Sequence, residues 1–452
     1  PRPRRKRSRG KSSRLASGDD PDSRSVQRRP LLRGPAREHP SAVARTSALC
    51  LTRPEAIARR HNVESHPRPD PGRGDACVPT WIAAPADLER FAARLGGAAE
   101  LALDTEGDSL HHYPERLSLL QLAGGGEVAL VDPLAIADLH ALAAVFADKR
   151  ILTIVHAGDN DLAQLKRRYG FTFAAVFDTA LAARFVGARA LGLDVLLRDY
   201  LGVKLPPSRQ KDDWSARPLS EAQIRYAAAD VQYLVPLKDR LTEELTRVGR
   251  LAWVEEESGV LAARVPVEKP ANPDAYLGLK GAQTLPPRRL AALRGLYETR
   301  EQLARSADRP PFKILSEETL VRLALASPDD MLSLAGVPGC TPRVTARWGE
   351  AILAAIARAR ALPESELPSI EPQPRPRLSA GTRRRIERLR RWRAGVAPRF
   401  GLEPWILLPN RLITAIAEAA PRDREELLAM EGVRRWRVET FGDEIASVVA
   451  SD

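Results

Sequence analysis

Two carboxylates stand at the end of a short apolar stretch, where Leu101 to Glu106 reads Leu-Ala-Leu-Asp-Thr-Glu. Strands favour aliphatic, β-branched and aromatic residues and disfavour Asp, so acids in this position need an explanation. Because the side chains of a strand alternate between its two faces, Asp104 and Glu106 point the same way and can converge on one divalent cation. A strand that ends in a solvated turn at Gly107 would have the same sequence, and the hexapeptide alone leaves both interpretations open.

Two further acids occur in segments with helical patterns. Asp161 lies in the first turn of a helix predicted after the apolar run 151–155, where an Asp also stabilises the positive end of the helix dipole. Tyr226 and Asp230 are four residues apart on a helix capped by Ser220, so they are neighbours on one helical face. The three alanines between them let that face approach another element closely. Each acid has an ordinary structural explanation when taken alone.

The elements that must position these residues follow an α/β pattern from residue 78 to residue 258. The segments 101–105, 117–122 and 128–131 are predicted strands joined by short Gly-rich or polar turns, which is typical of an antiparallel meander. Helical segments then alternate with a further strand at 151–155. The pattern predicts a mixed sheet flanked by helices.

Three motifs in this domain resemble those of the ribonuclease D family, whose members are DEDDy 3′-to-5′ exonucleases with a ribonuclease H-like fold. They are Asp104-Thr-Glu106, His156-x-x-x-x-Asp161 and Tyr226-x-x-x-Asp230, and the segment from Gln210 to Ser220 is also similar. Gly107 departs from the family, which usually has a bulkier apolar residue there. Asp159 is a second acid near Asp161, and the family pattern favours Asp161.

The resemblance implies a role for each acid. Asp104, Glu106 and Asp230 would hold one divalent ion, Asp104 would bridge to a second, and Asp161 would assist through water. Two ions, Mg²⁺ or Mn²⁺, suit this site because hard cations prefer oxygen ligands and two-metal sites serve phosphodiester cleavage. Tyr226 would orient the attacking water by a hydrogen bond, since a free Tyr with a pKa of about 10 is a poor base at neutral pH.

Beyond Ser258 the pattern becomes helical and contains a long internal repeat. Ile314-Leu and Trp348-Gly recur as Ile406-Leu and Phe441-Gly, at offsets of 92 and 93 residues. A repeat this long indicates a duplicated domain, and both copies resemble HRDC domains, which usually assist nucleic-acid binding. The predicted organisation is a disordered basic extension at 1–77, the exonuclease domain at 78–258, a linker at 259–286, an all-α HRDC domain at 287–362, a Pro-rich linker at 363–377 and a second all-α HRDC domain at 378–452.

The net charge of +12 is concentrated in the amino-terminal segment 1–77, which carries 19 Lys and Arg against 8 Asp and Glu. This Arg-, Pro- and Ser-rich segment has little apolar periodicity and is predicted to be disordered; whether it belongs to the mature protein or targets it stays open. Three scattered cysteines favour a reducing compartment. No long apolar run predicts a membrane span. We therefore expect a cytoplasmic monomer.

The sequence as a whole predicts a metal-dependent 3′-to-5′ exoribonuclease that releases nucleoside 5′-monophosphates. By resemblance its substrates would include the 3′ ends of precursor tRNA. Gln210 and Lys211, in a polar loop, and Arg384 and Arg391, in a basic cluster of the second HRDC domain, are candidate substrate contacts. Action on DNA, including single-stranded DNA, is the alternative, because carboxylate chemistry is indifferent to the 2′-hydroxyl. A catalytically weak RNA-binding adaptor is a further alternative, disfavoured because all four acids are present.

Overall fold

The computed structural model describes residues 78–266, 272–370 and 378–451. The basic extension predicted at 1–77 lies outside the described residues, as do positions 371–377 of the Pro-rich linker.

A six-stranded mixed sheet forms the centre of the first domain. Its strands are β1 (Thr80–Ile82), β2 (Glu100–Gly107), β3 (Leu117–Gly124), β4 (Glu127–Val131), β5 (Leu152–Val155) and β6 (Val176–Asp178). Their spatial order is β1-β4-β3-β2-β5-β6, with β2, β3 and β4 antiparallel and the remaining neighbours parallel. The predicted meander and the mixed sheet are confirmed. β2 lies between two neighbours at the centre of the sheet, which fixes the position of its carboxyl end.

Helices cover both faces of this sheet. They are α1 (Pro85–Leu95), α2 (Ala143–Ala147), α3 (Asp159–Tyr169), α4 (Thr179–Val186), α5 (Leu193–Leu201), α6 (Glu221–Gln232), α7 (Leu234–Arg247) and α8 (Leu251–Ala263). Leu101 and Leu103 of β2 pack in a core with α1 and α3, whereas Ala102 packs with Ala228 and Val231 of α6. The alternation of β2 therefore directs even-numbered side chains toward α6 and odd-numbered side chains toward α3.

Two helical bundles follow with matching element orders. The first comprises α9 (Pro287–Ser306), α10 (Pro311–Ile314), α11 (Glu317–Ala326), α12 (Met331–Ala335) and α13 (Pro342–Ala361). The second comprises α14 (Ala380–Phe400), α15 (Pro404–Leu407), α16 (Asn410–Ala419), α17 (Arg424–Leu428) and α18 (Arg435–Ala450). Within the segment predicted as the first linker, Tyr276 and Leu285 are buried against the first bundle. The exact domain boundaries stay predictions.

The second bundle shares one hydrophobic core with α4, α7 and α8 of the first domain. Trp253 of α8 stacks on Trp436 of α18 with ring centroids 4.3 Å apart. The Arg250 guanidinium donates to the carbonyls of Phe185 (2.8 Å) and Phe400 (2.7 Å), one on each side of the junction. These side chains therefore join the second bundle to the exonuclease domain.

Across the described part of the chain, no helix is long and apolar enough to cross a membrane.

Candidate active site

Three carboxylates converge where β2 ends beside α6. Single oxygens of Asp104, Glu106 and Asp230 all lie within 4.8 Å of one another. Ser220 and Gln223 form a reciprocal capping box that fixes the start of α6. The small residues Ala227 to Ala229 then let this helix pack directly on the sheet. The spacings i, i+2 on the strand and i, i+4 on the helix thus place these three acids as the sequence predicted.

Burial and mutual repulsion raise the pKa values of these acids. Burial, followed by the charges of Asp230 and Asp161, raises the pKa of Glu106 to about 9. Burial raises the pKa of Asp230 to about 7, against a smaller lowering effect of its hydrogen bond with Tyr226. The pKa of Asp104 is raised well above its usual range by burial and by the three neighbouring carboxylates. Clustered oxygen donors that resist ionisation without a counter-charge fit a divalent cation.

Asp161 approaches the site from the opposite face of β2. The hydroxyl of Thr105, which points toward α3, donates a hydrogen bond to Asp161. Asp161 lies outside the set of three acids whose oxygens are within 4.8 Å, yet its charge raises the pKa values of Asp104 and Glu106. Asp159 instead forms an exposed ion pair with Arg264 at 2.9 Å. Asp159 and Asp161, the two candidate acids of the second motif, therefore have different surroundings. Asp161 is the one that lies beside the three clustered carboxylates.

A strained turn before α3 positions Asp161, and its main support is Asp178, which the sequence analysis missed. Asp178 accepts the backbone N–H groups of Ala157 (3.0 Å) and Gly158 (3.1 Å), and also caps α4. Ala157 has a φ of 55°, and a Cβ at Gly158 would lie 2.6 Å from the Val155 Cβ. The His156 ring is bonded to the Thr179 hydroxyl at 2.9 Å, which gives this histidine a positioning role. The Asp-Thr pair before α4 is a local signal of the helix cap, but not of the contact with the turn before α3.

The loop before α6 supports Tyr226 from beneath. Trp214 is fully buried, and its ring centroid lies 6.1 Å from that of Tyr226. Arg217 fixes this loop because its guanidinium binds both oxygens of Asp132 (2.7 and 2.8 Å) and the Trp214 carbonyl (2.7 Å). Gln210 and Lys211 are exposed in the same loop. The charge of Asp212, also missed in the sequence, contributes to the raised pKa of Glu106.

Gly107 accommodates a neighbouring carboxylate at the end of β2. A Cβ at Gly107 would lie 2.5 Å from the Glu115 Oε1 atom. Burial and the charge of Asp108 raise the pKa of Glu115, while Arg167 lowers it. The small residue at this position therefore leaves room for Glu115.

Five arginines of the basic cluster predicted on α14 have two kinds of surroundings in the structure. Arg385, Arg388 and Arg393 donate to backbone carbonyls at the ends of neighbouring segments, so they stabilise the bundle. Arg384 and Arg391 are exposed and seven residues apart on α14, which places them on one face of the helix. Arg384 and Arg391 therefore stay candidate phosphate contacts, whereas the three arginines that bind backbone carbonyls stabilise the bundle.

The central mixed sheet and the acidic cluster at the end of β2 lie in a domain of the metal-dependent 3′-5′ exonuclease class, as the family comparison shows. A family described as 3′-5′ exonuclease matches residues 79–246, and the HRDC domain family matches residues 289–356 and 382–449. The chain is 32% identical to a ribonuclease D of Pseudomonas paraeruginosa over 82% of this chain and 97% of that protein. The chain belongs to the ribonuclease D family, and its activity is that of a 3′-to-5′ exoribonuclease that binds RNA.

Solved structures agree with this assignment. The crystal structure of Escherichia coli RNase D, described as an exoribonuclease involved in structured RNA processing, has a TM-score of 0.60 and 28% identity, covering 82% of this chain and 98% of that chain. A protein from Bifidobacterium adolescentis shares the fold with a TM-score of 0.71 at 23% identity, covering 83% of this chain and 97% of that chain. The matches of the HRDC family at residues 289–356 and 382–449 identify the two helical bundles as HRDC domains, and we call them HRDC1 and HRDC2 below.

Proposed function

We propose that Asp104, Glu106, Asp161, Tyr226 and Asp230 form the active site that shortens RNA from its 3′ end. The observation that carries this proposal is the convergence of Asp104, Glu106 and Asp230 within 4.8 Å. Like charges this close raise each other's pKa, so the arrangement is unfavourable unless a cation binds. Such a cost is expected at a metal site and has no evident structural use.

Asp104, Glu106 and Asp230, with Asp161 acting from the other face of β2, would hold two divalent ions, Mg²⁺ or Mn²⁺. When bound, such ions lower the pKa of water and stabilise charge on phosphoryl and leaving oxygens. Attack of a water molecule on the phosphorus of the last phosphodiester would break its P–O3′ bond. The terminal nucleotide leaves as a nucleoside 5′-monophosphate, and the departing O3′ takes up a proton and becomes the 3′-hydroxyl of the shortened strand.

Tyr226 acts as a hydrogen-bonding group and not as a base. Burial, together with the charges of Asp230, Glu106 and Asp104, raises the pKa of its hydroxyl above the usual value. The phenol therefore stays protonated at neutral pH and can orient a water for in-line attack. Tyr226→Phe keeps the ring that packs on Trp214 and should reduce kcat by about tenfold to a hundredfold.

The proposed substrates are structured RNAs, including the 3′ ends of precursor tRNA. Support comes from the described role of the Escherichia coli relative in structured RNA processing. Gln210 and Lys211 on the loop before α6, and Arg384 and Arg391 on HRDC2, are exposed where they can meet phosphates. We further propose that the enzyme acts as a monomer in the cytoplasm, which size-exclusion chromatography with light scattering and fractionation can test.

Matched RNA and DNA strands labelled at the 3′ or the 5′ end test the activity, with and without Mg²⁺ or Mn²⁺. We expect 3′-labelled RNA to release labelled mononucleotide at once and 5′-labelled RNA to shorten stepwise. Equal or faster degradation of single-stranded DNA would favour the DNA alternative. Binding of RNA without metal-dependent release of nucleotides would favour the adaptor alternative.

A comparison of Asp161→Asn with Asp159→Asn tests the second motif. Asp161 is bonded to Thr105 of the catalytic strand, whereas Asp159 pairs with exposed Arg264. Asp161→Asn should lower kcat by at least about a hundredfold, as removal of a preorganised charge commonly does. Asp159→Asn should leave kcat within about twofold, because exposed ion pairs contribute little. A larger loss from Asp159→Asn would overturn the assignment.

A further inference from the structure

The segment Asp108–Arg116, which we call the bridging loop, continues directly from the end of β2 and is internally fixed. The buried Asp108 carboxylate accepts the backbone N–H (2.7 Å) and the Nε (2.9 Å) of Arg116, at the two ends of the loop. The Asp108 carbonyl accepts the N–H groups of His111 (2.8 Å) and His112 (2.9 Å). These bonds make the loop a stiff connection from Glu106 to its tip at His112 and Tyr113.

The tip of the bridging loop is held by HRDC1. His112 Nδ1 donates to Oδ2 of Asp308 at 2.7 Å, and the Tyr113 backbone N–H donates to Oδ1 of the same carboxylate at 3.1 Å. The Tyr113 hydroxyl donates to Glu301, and the Arg305 guanidinium lies 5.2 Å from the Tyr113 ring centroid. The ring itself packs against the HRDC1 core. Polar and apolar contacts therefore converge on two consecutive residues.

The same loop also contacts the segment before α6 that carries the candidate substrate residues. His111 Nε2 donates to the Lys211 carbonyl at 2.9 Å, and His112 Nε2 lies 3.6 Å from Oδ2 of Asp213. The next residue of that segment is Trp214, the buried support of Tyr226. The bridging loop thus touches HRDC1 on one side and the Lys211 backbone on the other.

We propose that Asp308 of HRDC1 is a positioning residue for the exonuclease reaction, acting through His112 and Tyr113 on the loop that carries Lys211. HRDC1 then contributes to kcat/KM, mainly through KM, by holding the loop with Lys211 in place, in addition to any direct contact with RNA. This inference rests on the proposed contact of the Lys211 loop with the terminal nucleotides. If the loop with Lys211 already has its binding geometry before RNA arrives, less conformational entropy is lost when RNA binds.

Graded substitutions at Asp308 separate this role from a structural one. Asp308 has a φ of 46°, a conformation that Asn and Gly adopt readily, so both replacements keep the backbone. Asp308→Asn removes the charge and leaves one acceptor oxygen, while Asp308→Gly removes both acceptors. Tyr113→Phe removes only the hydroxyl that binds Glu301. Asp329→Asn is the matched control, because Asp329 is an exposed HRDC1 residue that bonds only to nearby Ser333 among the described residues.

Length of the RNA separates rim positioning from direct RNA binding by HRDC1. We expect Asp308→Gly to raise KM by about tenfold on an oligonucleotide of about four nucleotides, with a smaller change in kcat and an unchanged Tm. Asp308→Asn and Tyr113→Phe should give smaller increases, and Asp329→Asn none. A defect confined to long RNA would show that HRDC1 binds RNA directly. A lower Tm accompanied by a lower kcat would show a structural role for Asp308. Either result overturns the proposal. If the wild-type chain degrades neither the short nor the long RNA, the proposed function itself fails.

Discussion

At the scale of single residues, the main feature is that three acids are held where their charges oppose one another. Asp104 and Glu106 come from one strand and Asp230 from a helix, so the protein fold, and not local sequence, brings them together. Metal-free protein should therefore be less stable with these acids than without them. Function and stability then respond to substitution in opposite directions, as is common at active sites.

Asp104→Asn tests this opposition directly. The amide keeps the shape of the carboxylate and removes its charge, so kcat should fall by at least about a hundredfold. The Tm measured in EDTA should rise by about 2 to 4 °C, because the fold no longer holds a buried ionisable carboxyl group among three other acids. Asp199→Asn, which changes an exposed acid paired with its neighbour Arg198, should alter neither quantity. A lower Tm for Asp104→Asn in EDTA would contradict the assignment of Asp104 to a repulsive cluster.

The raised pKa values also predict how stability depends on pH. The pKa is about 7 for Asp230 and about 9 for Glu106 in the folded state. Both groups therefore keep protons in the folded protein that they release in the unfolded chain, where carboxyl groups have their ordinary pKa of about 4. The stabilisation that these two groups contribute is complete below about pH 4. It is lost as the pH rises through their folded-state pKa values. Thermal melting in EDTA should therefore show a falling Tm from about pH 5 to about pH 9.

Added Mg²⁺ provides the control for that pH dependence. Bound cation replaces the protons on these oxygens, so saturating Mg²⁺ should flatten the decline of Tm with pH. The double variant Glu106→Gln/Asp230→Asn should show a shallower decline in EDTA and little response to Mg²⁺. A Tm that is constant or increases over this range in EDTA would be incompatible with the raised pKa values.

At the scale of elements, the site depends on turns that only tertiary contacts explain. The sequence was sufficient to predict the strand with Asp104 and Glu106 and the helix with Tyr226 and Asp230, because periods of two and of 3.6 residues are local properties. Asp178 and Arg217 were not predicted, since each acts on a segment at least 20 residues away in the chain. A lone Asp or Arg carries no local pattern that would reveal such a partner.

Asp178→Asn should weaken the turn that positions Asp161. Asn remains a good helix cap, but its amide nitrogen cannot accept the Gly158 N–H, so a buried donor loses its partner. The unfolding free energy should fall by about 1 to 3 kcal/mol, measured by urea unfolding. Activity at saturating RNA should fall by about tenfold, because the turn carries Asp161.

A second capping acid supplies the control for Asp178→Asn. Asp330 caps α12 of HRDC1 through the Ser333 N–H, at 2.7 Å, and has no link to the turn before α3. Asp330→Asn should keep both cap and activity. If Asp178→Asn behaved in the same way, the cap would be its whole role and the positioning of Asp161 would have another cause.

At the scale of the whole molecule, HRDC2 is an extension of the exonuclease core. Glu257 of α8 forms ion pairs with Arg437 at 2.7 Å and with Arg434 at 3.1 Å. Trp253 stacks on Trp436 at the same junction. The sequence repeat predicted two HRDC domains, but a repeat does not specify which of the two docks through a shared core. That distinction depends on residues such as Trp253 and Glu257 that lie outside the repeat.

At this junction Gly187, at the end of α4, lies close to the backbone of Gly401, at the end of α14. Gly187 has a φ of 91°, and a Cβ there would lie 2.7 Å from the Gly401 carbonyl oxygen. Gly170 is a matched control, because it also ends a helix, α3, with a φ of 68°, and a Cβ there would meet nothing within 4 Å.

Gly170→Ala should lower the unfolding free energy by about 1 to 2 kcal/mol from backbone strain alone. Gly187→Ala should cost at least about 1 kcal/mol more in urea unfolding, because backbone cannot yield as a flexible side chain does. It should also make the segment before α14 more sensitive to limited proteolysis. Equal costs for the two variants would mean that HRDC2 does not pack against α4 in solution.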